Sequence, residues 1–240
     1  MKLSKNKILI TGATSGIGEA LLNKFIELDN EVIIVGRNRD KLDYLEQKHK
    51  QVISFYCDLS INEERQALVQ FVNEDHADLN ILINNAGIQI NYNFISESPN
   101  DTITKEITTN LIAPIALTSD FLPTLNKQKE SAVVNISSAL ALAPKMDALV
   151  YCATKAAIHN FTKGLRIEQS NILFFEIIPP LVDTNMTKGR GAGKISPEKL
   201  VDTFIKAFQK NRLNIYIGKS NLLKVINWLS PKLATKIINR

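Results

Sequence analysis

The chain has 240 residues, of which 45% are hydrophobic, and a formal net charge of +5. That length suits one α/β domain with a generous core, and the composition argues against a disordered chain; no apolar run approaches the roughly 20 residues of a membrane helix. The mild positive charge is accompanied by no zinc-type cysteine/histidine cluster and no nucleic-acid-binding motif, so neither a metal site nor a nucleic-acid partner is expected. Cys57 and Cys152 offer no disulfide framework, which suits a reducing cytoplasm, and Ile8-Leu9-Ile10 is too short for a signal-peptide core.

In chain order, strands are expected at 7–11, 31–35, 52–57, 79–83, 131–137, 172–178 and 214–217, with helical patterns between them. Val32–Val35 and Ile81–Ile83 are continuous apolar runs, as strands covered on both faces require. Three helix starts carry signals: Ser60 with Glu63 has the spacing of a capping box, and Ser98-Pro99 and Ser196-Pro197 each place a cap before proline. Alternating strands and helices predict one doubly wound Rossmann-type parallel sheet of about seven strands, with right-handed crossovers and helices on both faces. Such a sheet binds its ligand beyond the carboxyl ends of its strands, where Gly12, Asp58, Asn85, Ser138 and Pro179 all fall.

Two segments carry chemistry. Thr11-Gly12-Ala13-Thr14-Ser15-Gly16-Ile17-Gly18 joins the first strand to a helical pattern at Glu19–Ile26. Its glycines permit a tight turn close to a pyrophosphate, and a helix N-terminus supplies free N–H groups. The plainer alternative is an ordinary βα turn with helix-packing glycines. Tyr151 and Lys155 stand four residues apart, on one face of a helix, where a cation favours the phenolate and lowers its pKa. Ser138 lies thirteen residues earlier.

With these segments in place, the chain resembles the short-chain dehydrogenase/reductase family, from about Lys7 to Ile217. The ordered marks are the glycine turn, Asp58, Asn84-Asn85-Ala86-Gly87, Asn110, Ser137-Ser138, Tyr151 and Lys155. The resemblance implies a carbonyl/alcohol oxidoreductase in which Tyr151 exchanges a proton with the substrate oxygen. Lys155 lowers the phenol pKa and binds the nicotinamide ribose, Ser138 holds the carbonyl, and Asn110 binds a relay water. It also implies cofactor contacts from Gly12, Thr14, Ser15, Gly16, Ile17, Gly18, Arg37, Asp58, Leu59, Asn85, Ala86, Gly87, Tyr151, Lys155, Pro179, Val182 and Thr184. Structural roles compete at several positions: Asn84 and Asn85 could cross-link strand ends, Asn110 could satisfy buried backbone, and Asp58 could be a turn residue. The short length and tail are similar to bacterial members of the DltE-like type.

After the second strand, Gly36-Arg37 replaces the carboxylate that would grip the ribose hydroxyls of NAD, which favours NADP, with NAD the alternative. The chain departs from the family at Pro180, where glycine is usual; proline fixes φ and removes an N–H. The resemblance further implies a homodimer or homotetramer paired through Ala113–Leu122 and the Tyr151 helix. Residues 219–240 read as a basic amphipathic extension of the 1–218 domain, docked on its own domain or a subunit neighbour, covering an apolar substrate pocket or touching a membrane peripherally. Competing functions are a non-catalytic NADP-binding sensor and a methyltransferase on the same sheet. Neither needs the set of Asn110, Ser138, Tyr151 and Lys155. The sequence does not name the substrate.

Overall fold

The computed structural model describes residues 1–91 and 100–239. Seven strands form one parallel sheet in the order β3-β2-β1-β4-β5-β6-β7. They are β1 (Lys7–Thr11), β2 (Glu31–Gly36), β3 (Val52–Tyr56), β4 (Ile81–Asn84), β5 (Ala132–Ile136), β6 (Leu173–Ile178) and β7 (Asn214–Tyr216). The expected strands are all present, their ends within two residues of expectation. The order steps outward from β1 through β2 to β3, and then from β4 to β7 on the other side. This reversal is the doubly wound arrangement, with a crevice between the ends of β1 and β4.

The apolar runs divide by period two. Ile8, Ile10, Val32, Ile34, Ile81, Ile83, Val134 and Ile177 face one core. Leu9, Ile33, Val35, Leu82, Val133 and Phe174 face the other. The first core is closed by α1 (Gly16–Glu27) and α7 (Pro197–Gln209), where Phe25, Phe204, Phe208 and Phe175 pack as a group with neighbouring centroids 4.7–6.4 Å apart. The second is closed by α3 (Asn62–Asp75) and α5 (Ala113–Asn126), helped by Leu165 of α6 (Leu149–Glu168). Burying one of these large side chains contributes about 1.5–3 kcal/mol, so either layer contributes far more than any single polar contact.

Helix starts divide the expectations. Ser196 caps α7, accepting from Lys199 N at 3.2 Å, with Pro197 at the first position, as expected. Ser98-Pro99 lies outside the described residues. The Ser60 capping box does not form. Its hydroxyl donates instead to Asp58 Oδ1 at 2.7 Å, and α3 begins later, behind Ile61. The short-range Asx turn competes better for that serine than the helix does. Of the other helices, α2 (Arg39–Lys48) is capped by Asn38, and α4 (Asn100–Ile107) runs through a π turn at Thr108–Ile112 into α5. The chain ends in α8 (Lys219–Leu229) and α9 (Pro231–Ile238), restarted by the Ser230 cap and Pro231. No helix among the described residues is long and apolar enough to cross a membrane.

Candidate active site

The crevice is a cleft of roughly 880 Å³ at the carboxyl edge of the sheet. Thr11, the last residue of β1, organises its floor. Its hydroxyl donates to Ile83 O at 3.3 Å and accepts from the amides of Asn85 and Ala86, each at 3.0 Å. Asn85 Nδ2 donates back to the carbonyls of Thr11 and Gly12 at 2.9 and 3.1 Å. Asn84 extends the stitching sideways, donating to Asn135 Oδ1 at 2.9 Å and Thr118 Oγ1 at 3.1 Å. The two amides therefore cross-link the ends of β1, β4 and β5, the structural role open to them from sequence.

The glycine turn is fitted to this floor. Gly12 has φ +67°, and a Cβ there would stand 2.9 Å from Ala86 Cα; Gly16 has φ +56°, and its Cβ would stand 3.0 Å from Thr184 Cγ2. Only glycine fits such positions without a shift, and the result is a cradle of bare backbone at the start of α1. Ser15 precedes α1 without a side-chain cap bond, so the first amides of the helix remain open to an anion. A Cβ on Gly18 would collide with Gly12 O, which makes that glycine a packing residue. The donor set thus fits a dinucleotide pyrophosphate.

At one end of the cleft, Gly36 and Arg37 follow β2. Arg37 Nη1 lies 3.5 Å from Asp58 Oδ2, with the arginine side chain 49% exposed. Asp58 Oδ1 accepts from the amide and hydroxyl of Ser60 at 2.9 and 2.7 Å. Burial pushes its carboxyl up, but these two bonds and the Arg37 charge outweigh burial and hold it below the usual range. Asp58 is thus a turn residue and an ion-pair partner while it lines the cleft.

At the other end, Ser138, Tyr151 and Lys155 line the same cleft. The Ser138 side chain acts on the Tyr151 phenol and draws its pKa down. Ser138 Oγ also accepts from Leu140 N at 3.1 Å, so the serine caps a 3-10 turn at Ala139–Ala141 as well. Lys155 Nζ donates to Ile136 O at 2.8 Å and stands 5.6 Å from the Tyr151 ring centre. The expected lowering of the phenol pKa is absent. Burial pushes Tyr151 up to about 12, against the pull of Ser138. Burial likewise draws Lys155 down to about 8, against the attraction of the buried Glu176. Desolvation is the largest cause of both shifts.

Asn110 stands behind the lining, in the π turn, with its amide bonded to the backbone of Ile88. Sequence reasoning missed two groups that act on Tyr151: the fully buried Glu106, which raises the phenol, and Arg190, which lowers it. Arg190 Nη1 is buried without a hydrogen-bond partner among the described residues. The tail contributes an apolar part of the remaining lining, Leu222, Leu223, Ile226, Ile237 and Ile238, beside polar groups such as Lys145, Asn185 and Lys219. Asn239 fastens that tail to the segment before Tyr151, accepting from Met146 N at 2.8 Å and donating to Pro144 O at 2.9 Å. Pro180 lines the cleft beside Gly218, and Pro179 O still accepts from Ala139 N at 2.9 Å. The segment then continues through Leu181 O and Asp183 N to Ile195, so the missing N–H of Pro180 falls between the bonds that hold it.

Sheet order, switch-point cleft and glycine cradle define a nucleotide-binding Rossmann protein with a Ser/Tyr/Lys cluster. The family model for short chain dehydrogenases matches residues 6–194, and the chain belongs to that family of oxidoreductases. It is similar to the uncharacterized oxidoreductase DltE of Bacillus subtilis, 36% identical over 224 residues that cover 90% of this chain and 89% of that one. Among solved structures it resembles a short-chain dehydrogenase from Sphingobium yanoikuyae in complex with NADPH (TM-score 0.83, 26% identity, 97% and 94% of the two chains covered). A short-chain dehydrogenase from Burkholderia cenocepacia in complex with NADP shares the fold at TM-score 0.88 and 21% identity, over 99% of both chains.

Proposed function

We propose that the chain interconverts a carbonyl and a secondary alcohol, with NADP(H) as the preferred cofactor and NAD(H) the weaker one. The observation that carries this reading is the shared cleft, whose glycine-backbone floor leads to Ser138, Tyr151 and Lys155. Bound nicotinamide would supply the hydride acceptor or donor. The glycine turn from Gly12 to Gly18 binds the pyrophosphate, and Asn85, Ala86, Gly87, Pro179, Val182 and Thr184 flank the cofactor's length. Arg37, exposed beside Gly36, meets the 2′-phosphate with its guanidinium. The NADPH held by the Sphingobium relative supports the same choice.

Ser138 donates a hydrogen bond to the substrate oxygen and fixes its position. Tyr151 gives its proton to that oxygen as negative charge develops there, and takes one back in the reverse direction. The phenol carries its proton at neutral pH, as an ordinary tyrosine does, which is the state that carbonyl reduction needs. Lys155 holds the ribose and stabilises the phenolate left behind. Asn110 keeps the backbone at Ile88 in place beside the lysine and serves the relay water. The substrate half of the cleft is lined by Leu140, Leu181 and Met186 with the tail residues, which favours an apolar substrate group.

The test is initial-rate spectrophotometry with NADPH and NADH over a panel of apolar ketones and the matching alcohols. Turnover that is faster with NADPH and abolished in Tyr151→Phe supports the reading. Tight NADPH binding with no turnover of any ketone or alcohol would instead favour the non-catalytic NADP-binding sensor.

A further inference from the structure

The tail has a second, solvent-exposed face that borders the mouth of the cleft. Around α8, Ser220 and Leu223 are buried and Ile226 is partly buried. On the opposite side of the same helix, Val225, Trp228 and Leu229 are 52%, 82% and 69% exposed, and Leu222 is 63% exposed. At 100° per residue these four cover one arc of about 120°. In α9 the exposed apolar pair is Leu233 and Ile237, 47% and 40% exposed and one turn apart. Met146, 75% exposed, adjoins them through the bond from its amide to Asn239. The helix that docks on the protein by its inner face therefore carries an equally apolar outer face, which water alone does not favour.

The charge on the tail itself has one sign, and the nearby Asp147 is paired with Lys145. Lys219, Lys224, Lys232 and Lys236 are all exposed, and residues 219–240 contain no aspartate or glutamate. Lys232 and Lys236 are one turn apart and run alongside Leu233 and Ile237. Lys224 lies at one edge of the α8 arc, with its Nζ 4.6 Å from the Tyr216 ring centre, while Lys219, at the start of the helix, lies on the cleft side. An apolar stripe holding a tryptophan and bordered by unopposed lysines matches an interfacial helix that meets anionic lipid, with each lysine near the surface adding to the attraction. Leu222 and Ile237 belong both to this outer face and to the lining of the cleft.

We propose that α8 and α9 form a docking surface for an anionic lipid bilayer, with Trp228 at the interface and the apolar mouth of the cleft facing the acyl region. The surface lies outside the Ser138–Tyr151–Lys155 cluster, and the proposal holds whether or not the chain turns over a ketone. Docking would let an apolar molecule pass between bilayer and cleft past Leu222 and Ile237.

The test uses the full chain, with Trp228, its only tryptophan, as reporter. Phosphatidylcholine vesicles with and without phosphatidylglycerol are titrated in, and binding is followed by emission and by co-sedimentation. The expected result is a blue shift and co-sedimentation with the anionic vesicles only. Lys232→Glu/Lys236→Glu should weaken that binding by about thirty-fold or more. Val225→Asn/Leu229→Asn should weaken it similarly, while circular dichroism and NADPH affinity stay at the levels of the unaltered protein. An emission spectrum unmoved by anionic vesicles overturns the proposal, as does an equal response to neutral ones. Analytical ultracentrifugation covers the other occupant: a self-association that Val225→Asn/Leu229→Asn abolishes would assign the face to a second copy and overturn the bilayer.

Discussion

Asn110 is locked to Ile88 by a reciprocal pair of hydrogen bonds, the Ile88 amide donating to Oδ1 at 2.8 Å and Nδ2 donating to the Ile88 carbonyl at 2.7 Å. Asn110 is 1% exposed and Ile88 partly buried, and the two bonds join the π turn before α5 to the loop after β4. A π turn adds a residue to a helix locally and is common where a side chain must be redirected. Here it aims an amide at a backbone that no helix or sheet would satisfy.

Asn110→Ala should therefore lose stability as well as turnover. Two backbone groups lose their partner, at about 1–3 kcal/mol for each one left buried and unpaired. Urea unfolding followed by circular dichroism should show a loss of about 2–3 kcal/mol. A loss below about 0.5 kcal/mol would mean that the loop re-forms without the amide.

Gly12→Ala should abolish dinucleotide binding while the sheet persists. The left-handed φ of +67° strains alanine, and its Cβ would press on Ala86 Cα at 2.9 Å. Fluorescence titration with NADPH should detect no binding in a protein whose far-ultraviolet spectrum is unchanged. Native affinity in the variant would remove the turn from the binding account.

Arg37 should set the cofactor preference. A charge-assisted phosphate contact contributes about 1.5–3 kcal/mol, or about a 10- to 150-fold tighter Kd for NADPH than for NADH. Arg37→Ala should erase that ratio with little cost to folding, because its pairing with Asp58 at 3.5 Å is long and half exposed. Equal affinities in the unaltered protein, measured at one fixed salt concentration, would contradict the assignment.

Lys155 gives stability a particular pH dependence. Its folded pKa, about 8, lies below the ordinary value of 10.5. At pH values below about 8 both folded and unfolded chains hold the proton, and the penalty for burying the cation is present in full. Between about 8 and 10.5 the unfolded chain holds more protons, so stability rises with pH. Relative to Lys155→Met, the unaltered protein should gain up to about 3 kcal/mol across that window. Denaturant midpoints at about pH 7 and about pH 10 measure it, and a constant difference between the two proteins would contradict the buried cation.

Much of this architecture is legible in the sequence, because parallel strands covered on both faces are continuous apolar runs and the glycine turn needs its residues in fixed order. Ile8–Ile10, Val32–Val35 and Ile81–Ile83 could be read for that reason. Ser60 could not, because its choice between the α3 amides and the Asp58 carboxylate is settled by geometry over two residues. Spacing places Lys155 near the phenol of Tyr151 but does not reveal the burial that pushes that phenol up. Asn239 is more than ninety residues from its partners at Pro144 and Met146, so sequence periodicity could not join the tail to the cleft. The tail was readable as amphipathic, but Leu222, Leu223, Ile226 and Leu229 do not form the one apolar face that their spacing suggests: Leu223 and Ile226 turn inward, while Leu222 and Leu229 are exposed.

The central claim is that Tyr151 transfers the proton, and Tyr151→Phe tests it most directly because the ring stays and only the exchangeable proton goes. With the ketone that the unaltered protein turns over best, kcat/KM and the NADPH Kd are measured for both proteins. The account predicts a loss of at least about a hundredfold in kcat/KM, roughly 2.7 kcal/mol of transition-state stabilisation, with the Kd unchanged within about twofold. A variant that keeps more than about a tenth of kcat/KM would contradict it, and the acid would have to be sought elsewhere in the cleft.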